Sequence, residues 1–232
     1  MTMEKRNCGI SMRLVPYGGG WTDLYADFGG GEIYFIISNV IGPGFAALLN
    51  ALYYLHPTHD ESEREDLIEY KYGICEKIDG EYRVTKVVDD PRTEKASFGY
   101  CSIPWKAHFE WDEEGSESRW TLEREPNMED SFPVKLHIEL EREETTVYDY
   151  LLNYEDLCYA VADACTKALK KHGFNGYHAA TYHEDLNMRV LLFLKAVGLR
   201  NTEACVITES REEGSGETSD FAKEIELLLF DM

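Results

Sequence analysis

The sequence predicts an α+β fold: an antiparallel β-meander packed with a helix from the N-terminal region and two to three C-terminal helices. Three observations carry this. Short β-branched and aromatic segments separated by turn residues occupy the first forty residues or so, period-two alternation runs from about Leu67 to Glu141, and apolar residues recur at helical spacing through the last third. The 232 residues suffice for one large domain or two small ones. The expectation is a single domain over 1–232, with a subdivision near 60 or 150 as the alternative.

Each element follows in order. "MRLVPY", "WTDLYADF" and "EIYFIISNVI" are strand-like segments separated by Gly18-Gly19-Gly20 and Gly29-Gly30-Gly31. Gly42-Pro43 opens a helix in which Phe45, Leu48, Leu49, Leu52 and Leu55 form one apolar stripe, and His56-Pro57 ends it. Asp79-Gly80 between alternating segments is a hairpin signal. Two more strands flank a turn near Glu114-Gly115. In the next strand Val134, Leu136, Ile138 and Leu140 alternate with Lys135, His137, Glu139 and Glu141, so one sheet face is wet. "YEDLCYAVADACTKALKKHG" is a helix with Leu157, Val161, Ala164, Cys165, Ala168 and Leu169 inward and Gly173 at its C′ position. "HEDLNMRVLLFLKAVG" repeats the scheme with Leu186, Val190, Phe193, Leu194 and Val197, capped by Asp185 or a neighbour and closed by Gly198. "ACVIT" is a short strand, "SREEGSGET" a loop and "SDFAKEIELLLF" a final helix.

Charge narrows the partners. Forty-four acidic residues against 23 basic ones give a net charge of −21, which repels bare nucleic acid and anionic membranes. It favours a basic protein partner, or serves solubility alone. No N-terminal stretch has a secretory apolar core, and no segment approaches the ~18 apolar residues of a membrane span. The six cysteines, Cys8, Cys75, Cys101, Cys158, Cys165 and Cys205, include no C-x-x-C pair and suggest reduced thiols in small core positions. The expected compartment is the cytoplasm, and no cofactor is expected.

The glycine-rich stretch "VPYGGGWTDLYADFGGG" invites a phosphate-cradle reading, which needs backbone amides at a helix N-terminus. Here Gly20 is followed by Trp21 and a strand-like segment, so the glycines are expected to be turn residues with positive φ. The same residues resemble the N-terminal segment of the GHMP small-molecule kinases, in which an Arg-containing strand leads to Gly-Gly-Gly, Thr-Asp and a later Gly-Gly. The resemblance covers about twenty residues and implies a sugar-like substrate near Asp23. The family's Gly-Leu-Gly-Ser-Ser-Ser phosphate loop has no counterpart here.

Other chemistry-bearing clusters are short. His56, His59 and Asp60 are of the types that bind transition metals, and equally the types found at a solvated helix end. His178, His183, Glu184 and Asp185 precede a helix, where capping competes with acid–base work. From Glu110 to Asp130, nine carboxylates stand against Arg119 and Arg124, a net of −7, with Trp105, Trp111 and Trp120 in or beside the stretch. Either the tryptophans are core and the carboxylates a wet hairpin, or Trp111, Asp112, Glu113, Glu114, Glu117 and Trp120 form an acidic docking surface with aromatic anchors.

The leading functional expectation is a non-enzymatic module recognising a basic protein, of which toxin neutralisation is one version. In being acidic, mid-sized and free of catalytic motifs, the chain resembles polymorphic-toxin immunity proteins in general style. The alternatives are a small enzyme, kinase-like through Asp23 or a metal-dependent hydrolase through His56, His59 and Asp60, and an assembly subunit. The oligomeric state is left open.

Overall fold

A computed structural model describes residues 8–40, 42–58, 66–93, 99–112, 115–181, 186–201, 208–209 and 217–231. The fold is α+β, with a three-stranded and a six-stranded antiparallel sheet and four helices among the described residues. The chain divides into two compact units, the first made of residues 1–49, 111–115 and 154–232, the second of 50–110 and 116–153.

In the first unit β1 (Ser11–Gly18), β2 (Trp21–Asp27) and β3 (Glu32–Ser38) form a meander in sequence order. Its buried positions alternate, as Met12, Leu14, Leu24, Ala26, Phe35 and Ile37 show. The first glycine triplet is the β1–β2 turn, with φ of 104°, 67° and 85° at Gly18, Gly19 and Gly20, values that side-chain-bearing residues rarely adopt. No helix follows these glycines, because Trp21 begins β2. Helix α1 (Ala46–Leu55), whose residues from Asn50 on belong to the second unit, starts three residues beyond Pro43, and its predicted stripe is buried; so are Ala47, Ala51, Tyr53 and Tyr54 on its other sides. Helix α2 (Tyr154–Ala180) packs on β1 and is interrupted at Gly173, where φ is 67° and ψ 165°. Gly173 therefore ends the first helical segment as predicted, but the chain returns to helix as far as Ala180.

Helix α3 (Met188–Gly198) is capped by Asn187, whose Oδ1 accepts the amides of Arg189 and Val190 at 3.1 and 3.3 Å. Asp185 lies outside the described residues. Leu191 is buried where Phe193 was predicted, and Phe193 is half-buried. Gly198 does not close the helix by a left-handed turn. Arg200 does, with φ 55°, while its amide bonds Val197 O at 2.9 Å and that of Asn201 bonds Ala196 O at 2.8 Å, a Schellman arrangement. Two-residue strands β10 (Thr208–Glu209) and β11 (Glu217–Thr218) pair ahead of α4 (Phe221–Leu229). The buried Lys195 holds α4 by donating to Phe230 O at 2.6 Å, Leu228 O at 3.0 Å and Thr166 Oγ1 at 3.3 Å, and burial pushes its ammonium pKa down to about 8.

The second unit carries β4 (Ile68–Ile78), β5 (Glu81–Val88), most of β6 (Tyr100–Asp112), β7 (Glu117–Glu123), β8 (Pro133–Glu141) and β9 (Thr145–Asn153). Their order in the sheet is β5-β4-β6-β7-β8-β9. Asp79 and Gly80 form the β4–β5 turn with φ of 54° and 91°, as the dipeptide predicted. Alternation on β8 holds throughout: Val134, Leu136, Ile138 and Leu140 are buried.

Candidate functional site

The outer face of β7 and β8 is assembled by register. Glu117 lies opposite Glu141, Arg119 opposite Glu139, and Thr121 opposite His137, which in turn faces Asp149 on β9. Arg119, half-exposed, reaches four carboxylates: Glu117 at 2.6 Å, Glu110 at 3.4 Å, Glu141 at 3.6 Å and Glu139 at 3.7 Å. The hydrogen bond that Arg119 donates to Glu117, and then the surrounding charge, raise the guanidinium pKa further. Those five side chains leave a net of −3.

Further along the same face, His137 Nδ1 is 2.7 Å from Asp149 Oδ1 and Nε2 is 3.4 Å from Glu139 Oε1. The Asp149 hydrogen bond raises the imidazole pKa despite some desolvation. Beside this pair runs a groove of about 600 Å³ lined by Lys106, Glu123, Lys135, His137, Asp149 and Leu151, the last 72% exposed. Lys71 and Lys106 place their ammonium groups 4.7 and 5.7 Å from the ring of half-buried Trp105.

The predicted aromatic anchors are corrected by burial. Trp111 and Trp120 are each 1% exposed, so neither can meet a partner. They belong to different cores. Trp111 donates its indole N–H to Gly44 O at 2.7 Å and meets Phe35 edge-on in the first unit, while Trp120 stacks on Phe109 at 5.7 Å in the second. The tryptophan of this segment that reaches the surface is Trp105. Asp112 is exposed at the end of β6, Glu117 joins the Arg119 cluster, and Glu113 and Glu114 lie outside the described residues.

Arg124, which the sequence shows only as one of two cations in the acidic segment, is 4% exposed. It donates to Asn127 O and Oδ1 at 2.7 Å each, Glu129 O at 3.2 Å, Glu125 O at 3.2 Å and Leu55 O at the end of α1 at 3.3 Å, and stacks on Phe132 at 3.7 Å. No pattern in the sequence separates it from Arg119, since burial of an arginine depends on carbonyls brought together by the fold.

His56 is also buried, at 3% exposure, and its Nδ1 pairs with Thr58 Oγ1 at 2.8 Å. Desolvation first, then Arg124, push its pKa down to about 4, so it is neutral at pH 7. The expectation of a solvated surface histidine is therefore corrected. His59 and Asp60 lie outside the described residues, among which no group of three His, Cys, Asp or Glu side chains could hold a metal. His183 and Glu184 are likewise outside them, and His178 is half-buried on α2.

Asp23 on β2 accepts a hydrogen bond from Tyr34 Oη at 2.8 Å, which with burial raises the phenol's pKa. No helix among the described residues is long and apolar enough to cross a membrane. Compared with protein-family models, with curated proteins and with solved structures, the chain matches none.

Proposed function

We propose that this protein is a binding module whose acidic β7–β8 face docks a basic protein surface, with neutralisation of a cationic toxin as the concrete form. The observation that carries the reading is Arg119 among Glu110, Glu117, Glu139 and Glu141. The face already receives one guanidinium, and its carboxylates outnumber that guanidinium four to one. An incoming arginine finds bidentate acceptors preset on a rigid sheet, where little conformational entropy is lost on contact. The surplus charge, with the −21 of the whole chain, speeds encounter with a cationic partner and makes binding salt-sensitive. Burial of Trp111 and Trp120 shifts the apolar part of the contact to Trp105 and Leu151.

The test compares two charge-reversed variants as baits at low and moderate salt. Glu139→Lys with Glu141→Lys alters the face; Glu76→Lys with Glu226→Lys makes the same charge change elsewhere on exposed positions. The reading requires one basic protein that binds the wild type and the second variant and is lost by the first. Equal loss in both variants, or retention in both, would overturn it.

A further inference from the structure

Cys75 on β4 and Cys101 on β6 stand on neighbouring antiparallel strands. Gly73 is the register partner of Cys101, and the Cys75 amide donates to Gly99 O at 3.1 Å. Residues two apart on a strand share a face, so Gly73, Cys75 and Cys101 lie on one face, and Gly73 puts no side chain between the thiols. Position 73 has no room for one: a Cβ there would lie 2.9 Å from both methyls of Val84 and 3.0 Å from Ile103 Cδ1. Both thiols donate to a single acceptor, Gly73 O, at 3.7 and 3.8 Å, so the two sulfurs converge on one carbonyl.

Both are half-buried free thiols, and both line one groove of about 700 Å³ together with Arg83, Lys86, Met128 and Glu129. Small oxidants therefore reach them, whereas Cys158 and Cys165 are buried in the other unit's core. Burial, first among the causes, and the nearby Cys75 push the Cys101 thiol up to about 11, so Cys101 keeps its proton.

We propose that Cys75 and Cys101 form a modification site for hydroperoxides, closing reversibly into an inter-strand disulfide with Cys75 as the first nucleophile and Cys101 as the resolving thiol. The Cys75 thiolate attacks one peroxide oxygen, the O–O bond breaks, and alcohol or water leaves after protonation. This creates a sulfenic acid on Cys75. Cys101 then gives up its proton and its sulfur attacks that of Cys75, expelling hydroxide, which the proton converts to water. Two thiols are oxidised to one disulfide and the hydroperoxide is reduced, so atoms and electrons balance. A dithiol reductant reverses the step by exchange.

The experiment treats the reduced, desalted full-length protein with hydrogen peroxide and follows it by intact mass and peptide mapping. The expected result is loss of two hydrogens and one cross-linked peptide pair containing Cys75 and Cys101, both restored by dithiothreitol. Cys101→Ser is expected to stop at a sulfenic acid on Cys75 that dimedone traps, and Cys75→Ser to give neither product. Unchanged mass, or a cross-link joining other cysteines such as Cys8 and Cys205, overturns the proposal. So does a folded Cys101→Ser protein without the dimedone adduct. The wild-type cross-link map stands alone if a variant misfolds.

Discussion

Gly198 at the end of α3 lies against the backbone of Tyr159 on α2 so closely that a Cβ on Gly198 would sit 2.7 Å from both Tyr159 Cα and N. Backbone cannot swing aside as a side-chain tip can. Gly198→Ala should therefore push the two helices apart and cost about 1–3 kcal/mol, the usual range for overpacking. Urea unfolding checks this, and an unchanged midpoint would show that α3 slides without penalty.

His56 makes stability fall in mild acid. Its pKa is lowered from 6.5 to about 4 in the folded chain, so below pH 6.5 the unfolded chain binds the extra proton and the folded one does not. Stability is therefore lost as pH falls from 6.5 toward 4, by about 3 kcal/mol over the window. His137 works in the opposite sense: its raised pKa favours the folded state at low pH, a contribution lost as pH rises through the folded value. Being well exposed, it counts for little. Denaturant melts at pH 7, 5.5 and 4.5 should show a slope that His56→Gln flattens and His137→Gln leaves nearly intact. A slope that His56→Gln leaves unchanged would assign the acid sensitivity to other groups.

Lys195 pins the C-terminal helix. Replacing it with methionine keeps the stem and removes the donor from Leu228 O and Phe230 O, leaving α4 attached through Leu227 against Ala196, Leu192 and Leu199 and through Lys170, which donates to Leu229 O at 2.8 Å. Hydrogen exchange in Lys195→Met should speed up across Phe221–Leu229 while the first segment of α2 stays protected. Uniform acceleration of both would mean that Lys195 supports the whole core instead.

Arg124→Lys should be nearly as damaging as Arg124→Ala. A lysine keeps the charge but cannot fan five donors across the carbonyls of Leu55, Glu125, Asn127 and Glu129, so acceptors lose their partner and a cation is left buried. A loss of at least about 3 kcal/mol is expected for each. A lysine variant of wild-type stability would show that the charge alone organises this loop.

Much of this was legible because local physics is written locally. The alternation of β8, the Asp79-Gly80 turn and the stripe of α1 follow from period and turn chemistry within ten or so residues. Strand β9 was not legible, since "TTVYDYLLN" forms a sheet edge and is exposed at most positions, so it carries little alternation. Nor was the separation into two sheets, since nothing within either strand says that β3 and β4, on either side of α1, join different sheets. At the acidic segment, the sequence left two readings open for the tryptophans, core or docking surface, and the structure places Trp111 and Trp120 in the core. Trp111 and Trp120 alternate with charge along their strands, and alternation places them opposite the carboxylates, in the core, unless a partner covers that face. The same blindness hid Arg124 and the diagonal approach of Cys75 to Cys101, both created by neighbours that sequence distance conceals.

The interleaved path of the two units has a consequence for synthesis on the ribosome. β1, β2 and β3 emerge first, yet the α2 segment that packs on β1 is made only from Tyr154 onward. The second unit has all its residues by Asn153, so it can close while the first still lacks the helix that packs on β1. The usual order of emergence, in which the N-terminal part matures first, is thereby inverted. A nascent chain halted between Asn153 and Tyr177 is the species in which the β1 side of this meander most needs shielding by a chaperone.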